Sequence, residues 1–279
     1  MLYVENGFAR RSEPGFRRSV WRRRAGLAGV LVVVVLCGCA GGAPSPVSRD
    51  ATPASAVAGA VSLPAITRFS DASQGEILPG GWRAWTLGRF KKATEYRLVS
   101  KDGRTVVRAF ADASSSGLMH DLDVDPRQHP WLHWRWKVEQ LIHGADNTQR
   151  HAEDSPVRLV ITFAGDHSKL DFSDRLFATQ VRLLTGQELP YATLMYVWCN
   201  HRPVESVIQN PRTDRIQKIV VESGPQRLNQ WLTYERNIRA DYEKAFGEPP
   251  GALIGIGLMT DSDNTRSHAQ AWYGAIRLH

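Results

Sequence analysis

The stretch Trp131-Leu132-His133-Trp134-Arg135-Trp136-Lys137-Val138 decides the fold class of this chain. Apolar and polar side chains alternate along it, which is the period of a β-strand with one apolar face. Indole rings bury more area than other side chains, so we predict that this strand lies at the centre of the core. A ligand platform formed by the polar face or by Trp131 is the alternative, but apolar stripes at strand spacing usually pack inside a protein.

Short strands are predicted on both sides of this stretch. Residues 101–104 (KDGR) separate two alternating runs, 96–100 and 105–111, and Asp-Gly in this position is typical of a β-hairpin turn. Apolar or alternating runs bounded by turn residues predict further strands at 114–123, 156–163, 191–198, 204–209, 216–222, 252–260 and 269–278.

Two segments have the signals of a helix. Apolar side chains recur at helical spacing in 173–184, where Ser173 or Asp174 is the predicted N-cap and Gly186 the predicted end. Segment 231–246 is predicted to begin as a strand and to become a short helix that stops at the following Gly-Glu-Pro-Pro sequence.

Many short strands with one or two short helices predict a mainly β protein. The pattern fits an antiparallel β-sandwich of the jelly-roll kind, in which two sheets are stacked. No alternation of strand and helix repeats along the chain, which argues against a parallel sheet. Residues 63–279 are predicted to form one domain, because no internal stretch has the composition of a linker.

Residues 1–38 have the composition of a secretory signal peptide. Three arginines, 22–24, precede an apolar run, 25–36, that is too short to span a bilayer as a permanent helix. Residues 36–39 (LCGC) resemble a bacterial lipobox, which implies that Cys39 is the lipidated first residue of the mature protein. Several acyl chains on one residue would anchor it stably. A plain signal peptide that is cleaved nearby is the alternative.

Residues 39–62 are predicted to be a flexible tether between that anchor and the domain. The stretch after Cys39 is rich in Ala, Gly, Ser and Pro and has no aromatic residue, so it cannot bury enough apolar surface to order itself. No Asp follows Cys39, and Asp there would resemble an inner-membrane retention signal. We therefore expect an exported protein that is lipid-anchored at the outer membrane or in the periplasm.

The positive charge of the chain is concentrated in the signal segment. Residues 1–38 hold seven of the 35 basic and two of the 28 acidic residues, so 28 basic and 26 acidic residues remain and the net charge falls from +7 to +2. A nearly neutral domain gives no electrostatic argument for binding nucleic acid, and no nucleic-acid partner is predicted.

Cys199 is the only cysteine of the predicted domain, since the other two, Cys37 and Cys39, lie in the lipobox. One cysteine cannot form an intramolecular disulfide. No general-base motif lies nearby in the sequence, and a buried, inert thiol is predicted.

Several short motifs follow one another along the chain. They are 132–136 (LHWRW), 145–147 (ADN), 153–158 (EDSPVR), 196–198 (YVW), Trp231, 241–242 (DY) and 260–265 (TDSDNT). In this combination the chain resembles an uncharacterised bacterial family that is catalogued as domain of unknown function 3047. The resemblance covers most of 63–279 and implies a β-sandwich similar to galactose-binding and carbohydrate-binding modules; it implies no activity.

Two oxygen-rich loops are candidates for a metal site. Asp261, Asp263 and Asn264 lie within four residues, and hard cations such as Ca²⁺ take several carboxylate and carbonyl oxygens. Asp146, Asn147 and Asp154 belong to a second loop that follows the tryptophan strand. A structural Ca²⁺ is one hypothesis. A capped β-turn is the alternative, because Asp, Asn and Ser bond their own backbones in turns.

Tryptophans beside turns are the candidate ligand contacts. Sugar rings stack on indoles, so an exposed Trp next to Asp, Asn or Arg makes a carbohydrate site. We predict ligand contacts at Trp82, Trp85 and Trp131, together with the second loop.

The leading functional hypothesis is an envelope lipoprotein whose non-catalytic sandwich binds carbohydrate or another cell-surface ligand. A hydrolase of envelope polysaccharide is the first alternative, with acids drawn from the 146–154 and 261–265 loops, namely Asp146, Glu153, Asp154 and Asp261. A structural partner in an outer-membrane assembly is the second. The sequence has no His-Glu-x-x-His, Gly-x-Ser-x-Gly or phosphate-loop motif.

Overall fold

The computed structural model describes residues 66–72, 78–86, 88 and 90–279, which belong to one compact unit, Gly59–His279. The predicted signal peptide, the lipidation site Cys39 and the predicted tether 39–62 lie outside the described residues. Within the described part, no helix is long and apolar enough to cross a membrane.

Two stacked sheets form the described domain, which confirms the predicted mainly β sandwich. The first is a seven-stranded sheet. In spatial order its strands are β1 (Trp82–Thr86), β4 (Ser115–Val124), β11 (Leu253–Asp261), β6 (Ser155–Phe163), β7 (Ala192–Cys199), β9 (Thr213–Ser223) and β8 (Val207–Asn210).

The second sheet has five strands, and two helices accompany the sheets. In spatial order the strands are β10 (Leu232–Asn237), β5 (Trp131–Val138), β12 (His268–Leu278), β3 (Arg104–Asp112) and β2 (Glu95–Lys101). The helices are α1 (Phe172–Thr185) and α2 (Ile238–Phe246).

The tryptophan strand β5 lies inside the five-stranded sheet, as predicted. Its apolar side chains are fully buried between the sheets, whereas its polar side chains and Trp131 lie on the outer face. The Trp134 ring stacks on Tyr196 of the opposing sheet, with 4.9 Å between ring centroids, and on Tyr234 at 5.1 Å. Aromatic stacking across the sandwich therefore joins the two sheets.

The β2–β3 hairpin forms at the predicted Asp-Gly turn. Lys101 pairs with Arg104, and Asp102 and Gly103 have φ angles of 52° and 73°. Two successive residues in the left-handed region are what a two-residue turn of this type requires, and Asp and Gly both tolerate that region.

One strand pair departs from the predicted antiparallel arrangement. β7 and β9 are parallel, whereas the other pairs in the described part are antiparallel. The chain leaves β7, reverses direction to form β8 at the sheet edge, and reverses again into β9. Two reversals restore the original direction, so β9 enters between β7 and β8 parallel to β7.

The helices end where the sequence predicts, but the start of α1 differs. Gly186 and Gly247 follow α1 and α2 in the left-handed conformation, which confirms both predicted stops. The N-cap of α1 is Asp171, whose carboxylate accepts the backbone N–H of Asp174; the predicted caps Ser173 and Asp174 are wrong. Both already lie in the first turn of the helix, two and three residues after the N-cap.

Candidate ligand-binding cleft

A cleft lies on the outer face of the seven-stranded sheet, the face turned away from the five-stranded sheet. Leu159 and Ile161 of β6 point into the core, and Val160 between them points outward and packs with Met119 and Met259. Helix α1 faces this outer surface. The cavity between α1 and the sheet has a volume of about 1050 Å³.

Methionines form much of the cleft floor. The chain has four methionines, and the three beyond Met1 are Met119, Met195 and Met259, which pack with Val160 on this face. Methionine side chains are flexible and polarisable, so they adapt to ligands of irregular shape. The floor is therefore apolar and deformable.

The indole of Trp85 lies against the sheet because Gly117 has no side chain. A Cβ atom at Gly117 would stand 2.9 Å from Trp85 Cε3 and 2.7 Å from the carbonyl oxygen of Leu258, closer than real Cβ atoms come. Trp85 itself is only partly buried. Its ring is thus available at the cleft surface.

A smaller, polar compartment of about 260 Å³ continues the cleft. Five residues line both compartments and mark the place where they meet, namely Trp85, Lys91, Phe177, Met195 and Arg212. The polar side chains that line the smaller compartment include Lys91, Arg150, Glu153, Arg158, Arg212, Asp261 and Asp263.

A buried charge network forms the floor of the polar compartment. Arg158 is 2% exposed and binds Asp261 with two hydrogen bonds, from Nε to Oδ1 at 2.9 Å and from Nη2 to Oδ2 at 3.0 Å. The fully buried Lys218 pairs with Glu153, with 2.8 Å between Nζ and Oε1. Each buried charge therefore has a partner of opposite sign.

Burial shifts the pKa values of this network. It raises the pKa of Asp261 to about 6, and the Arg158 guanidinium opposes that rise. It also lowers the pKa of Lys218, which the Glu153 carboxylate opposes. The ion pairs keep the charged forms in place where burial alone would disfavour them.

The two oxygen-rich loops singled out in the sequence meet beside this network. Asp154 accepts the backbone N–H of Asn264 at 3.2 Å and that of Thr265 at 2.7 Å, and it also accepts the hydroxyl of Thr265. Asp154 thus holds the 261–265 loop against the end of the 146–154 loop.

The predicted metal ligands lie in this meeting point. One carboxylate oxygen each from Asp154, Asp261 and Asp263 falls within 4.8 Å of the others. Each of these carboxylates has a protein partner: backbone amides for Asp154, Arg158 for Asp261 and Lys91 for Asp263. Asn264 donates its backbone N–H to Asp154. These are the contacts of a capped turn, and the Ca²⁺ hypothesis stays a prediction.

The remaining residues of the second loop hold the loop together. Asp146 accepts the backbone N–H of Thr148 at 2.9 Å, and the buried Asn147 donates to the carbonyl of Asp154. The Asn147 side chain also accepts the thiol of Cys199. Cys199 is buried, as predicted, and burial raises the pKa of its thiol to about 12; its inertness stays a prediction.

The three tryptophans predicted as ligand contacts lie in three different environments. Trp82 is 7% exposed, packs in the core and donates its Nε1–H to the carbonyl of Thr67, so it does not line the cleft. Trp131 is 42% exposed but lies on the opposite side of the sandwich. Trp85 alone of the three lines the cleft.

Sequence reasoning missed the methionine floor and the buried Arg158–Asp261 and Lys218–Glu153 pairs. A signal existed for the cations, because Arg158 interrupts the largely apolar β6 and Lys218 directly precedes the apolar run 219–221 of β9. A charge in such a run is buried unless its strand has a solvated face, and buried charges need partners. The methionines lie on three separate strands, so their meeting depends on the strand order.

A family model described as "Protein of unknown function (DUF3047)" matches residues 80–277. The match spans most of the chain, so the protein belongs to this family, which confirms the resemblance of the motifs. No curated protein matches the sequence.

Several solved structures are similar at low identity. A family 11 carbohydrate-binding module of Clostridium thermocellum is 11% identical with a TM-score of 0.37, over 77% of this chain and 93% of that one. A cellulase derived from Cel12A of Rhodothermus marinus has the same identity and TM-score, over 72% and 96%. A family 30 carbohydrate-binding module of C. thermocellum is 11% identical with a TM-score of 0.35, over 70% and 90%.

Proposed function

We propose that this DUF3047 protein is a non-catalytic binding protein of the bacterial cell envelope, and that the cleft beneath α1 holds a glycan-bearing ligand of the cell surface. The observation that carries the proposal is the placement of Trp85. Its partly buried indole lies on the cleft floor between the apolar and the polar compartment. An aromatic face beside hydrogen-bonding groups is the arrangement that holds a sugar ring.

Polar groups for such a ligand surround the indole. Arg83 pairs with Asp121 at 2.8 Å, and Lys91 pairs with Asp263; all four side chains line the cleft. Both pairs offer donors and acceptors at the surface, where a ligand hydroxyl can replace water at small cost.

The state of the carboxylates favours binding over hydrolysis. A glycosidase needs one carboxylic acid to protonate the leaving group and a second carboxylate that is free to act as base or nucleophile. Asp261 is held by Arg158, Glu153 by Lys218 and Asp154 by backbone amides. Asp146 accepts from Thr148. Each acid of the hydrolase hypothesis therefore already has a structural partner.

The envelope location rests on the lipobox-like sequence at Cys39. We expect radioactive palmitate to label the protein in cells and the Cys39→Ser variant to lose the label. Cys37→Ser is the matched control and should keep it. Labelling that persists in Cys39→Ser would contradict the lipid anchor at this residue.

The ligand proposal is tested by screening the full chain on an array of bacterial envelope glycans. We expect retention without cleavage, and a loss of affinity of about tenfold in Trp85→Ala, because the stacking surface is removed. Trp131→Ala is the matched control, since this exposed indole lies outside the cleft, and its affinity should not change.

Other outcomes would favour the alternatives. Release of reducing sugar that is lost in Asp261→Asn would support the hydrolase. Co-purification with an envelope protein, without affinity for any glycan, would support a structural partner. Equal losses in Trp85→Ala and Trp131→Ala would contradict binding in the cleft.

A further inference from the structure

The two compartments of the cleft differ in chemistry in a way that a plain glycan does not match. The larger compartment is lined mainly by apolar side chains from the sheet and from α1. They include Met119, Val160, Phe177, Val181, Leu184 and Met195. Polar side chains such as Arg83 and Asp121 also line this space, but the apolar part of the lining is larger and offers no hydrogen-bond partner to a sugar hydroxyl. The lining calls for a ligand with an apolar part.

Helix α1 forms the side of the cavity opposite the sheet and would cover that apolar part. Asp174 is the only buried residue of its fourteen, yet the helix carries Leu176, Leu183 and Leu184 with side chains that are largely exposed. Helices of soluble proteins normally bury their apolar stripe. Phe177, Val181 and Leu184 of α1 line the cavity, whereas the exposed Leu176 and Leu183 do not.

The polar compartment has an excess of positive charge. Lys91 and Arg158 are paired with acids, but within the described residues Arg150 and Arg212 have no ion-pair partner. Both arginines line the compartment. Guanidinium groups present several donors that match the oxygens of phosphate and carboxylate groups. The charge therefore fits an anionic group at this end of the cleft.

We propose that the ligand is an acylated amphiphile with an anionic head, with its acyl chain beneath α1 and its head facing Arg150 and Arg212. The inference deepens the proposed function and rests on it, since it names the chemical class of the ligand of the same cleft. A sugar between the two ends would lie on Trp85, where the compartments meet.

Isothermal titration of the full chain with hexyl, octyl and decyl phosphate tests the proposal. The titrations are done without detergent and below the micelle concentration of each probe. We expect the affinity to rise about fourfold for each methylene group buried, and then to level off when the chain fills the apolar compartment. Inorganic phosphate alone should bind too weakly to measure.

Two pairs of matched variants distinguish the contribution of the ligand's acyl chain from that of its anionic head. Phe177→Ser should weaken the binding of decyl phosphate at least tenfold. Phe172→Ser is the control, since Phe172 lies on the same helix but is 75% exposed, and it should not change the affinity. The double variant Arg150→Ala with Arg212→Ala should lower the affinity for decyl phosphate about tenfold and leave the affinity for decyl maltoside unchanged. Only the phosphate loses a charged hydrogen-bonding partner in this variant. Arg104→Ala with Arg277→Ala, on the five-stranded sheet, should have no effect.

Several results would overturn the inference. Affinity that does not depend on chain length, with glycan binding that still depends on Trp85, would reject the acyl chain and leave the proposed function standing. No binding of either glycans or alkyl probes would reject both. If the wild-type protein forms dimers that bind no probe, and Phe177→Ser is a monomer, the apolar cleft would be assigned to a second copy of this chain. Binding that appears only in Cys39→Ser would assign it to the chain's own lipid.

Discussion

Replacing Arg158 by Met is expected to lower the free energy of unfolding by about 3–5 kcal/mol, because the variant leaves a buried carboxylate without its partner. Asp261 is as deeply buried as Arg158 and receives two of its hydrogen bonds. Methionine fills a similar volume, so the lost free energy of unfolding reports the missing charge of Arg158 more than a change in packing. Urea unfolding followed by circular dichroism gives the value.

Arg83→Met is the matched control. Arg83 also binds a carboxylate with two hydrogen bonds, Nε to Asp121 at 3.2 Å and Nη2 at 2.8 Å, but the two side chains are 54% and 70% exposed. An exposed pair contributes less than about 1 kcal/mol. The double variant Arg158→Met with Asp261→Leu should recover most of the lost stability. Equal losses for Arg83→Met and Arg158→Met would contradict the role of burial.

The loss in Arg158→Met should also depend on pH. Burial raises the pKa of native Asp261 to about 6, above the value of an unfolded chain. A group of this kind contributes stability that is complete below the unfolded pKa and is lost as the pH rises through the native pKa. Removing Arg158 raises the native pKa of Asp261 further. The variant should therefore lose more stability at pH 8 than at pH 5, and a constant loss would argue against this origin.

Replacing Trp134 by Ala is expected to lower the free energy of unfolding by about 3–5 kcal/mol, the range for large aromatic residues that leave a cavity. Its ring is fully buried and stacks on Tyr196 and Tyr234, so the variant loses contacts with both sheets. Thermal and urea unfolding measure the loss.

Trp131→Ala is the control that distinguishes the loss of a buried indole from the loss of an exposed one. Trp131 lies on the same strand, and its exposed ring should cost less than about 0.5 kcal/mol. Trp134→Phe should cost less than Trp134→Ala, since it keeps an aromatic ring and removes an indole N–H that has no hydrogen-bond partner. A loss in Trp131→Ala as large as in Trp134→Ala would contradict the central position of the strand.

The fold was predictable because its signals are local. Alternation from Leu132 to Val138 depends only on the period of a strand, and the Asp102-Gly103 turn depends only on two residues that tolerate positive φ. The parallel pairing of β7 with β9 was not predictable in this way. It depends on the order of strands in the sheet, which no local pattern records.

The candidate site was predictable only in part, for the same reason. Asp154 and the 261–265 loop are more than one hundred residues apart, and the density of oxygen atoms pointed to both loops but not to their contact. Trp82 and Trp85 both lie on β1, yet the alternation of the strand sends one ring into the core and the other into the cleft. Register against β4, fixed by tertiary contacts, decides between them.

We expect the ligand to occupy the cleft between α1 and the outer face of the seven-stranded sheet. Apart from Met1, the chain's methionines all lie on the floor of this cleft, so their methyl groups are natural reporters. The most direct measurement is NMR of the full chain with carbon-13 in the methionine methyl groups, titrated with decyl phosphate. We predict that the signals of Met119, Met195 and Met259 shift as the probe binds. Signals that stay in place while calorimetry shows the probe to be bound would contradict the claim.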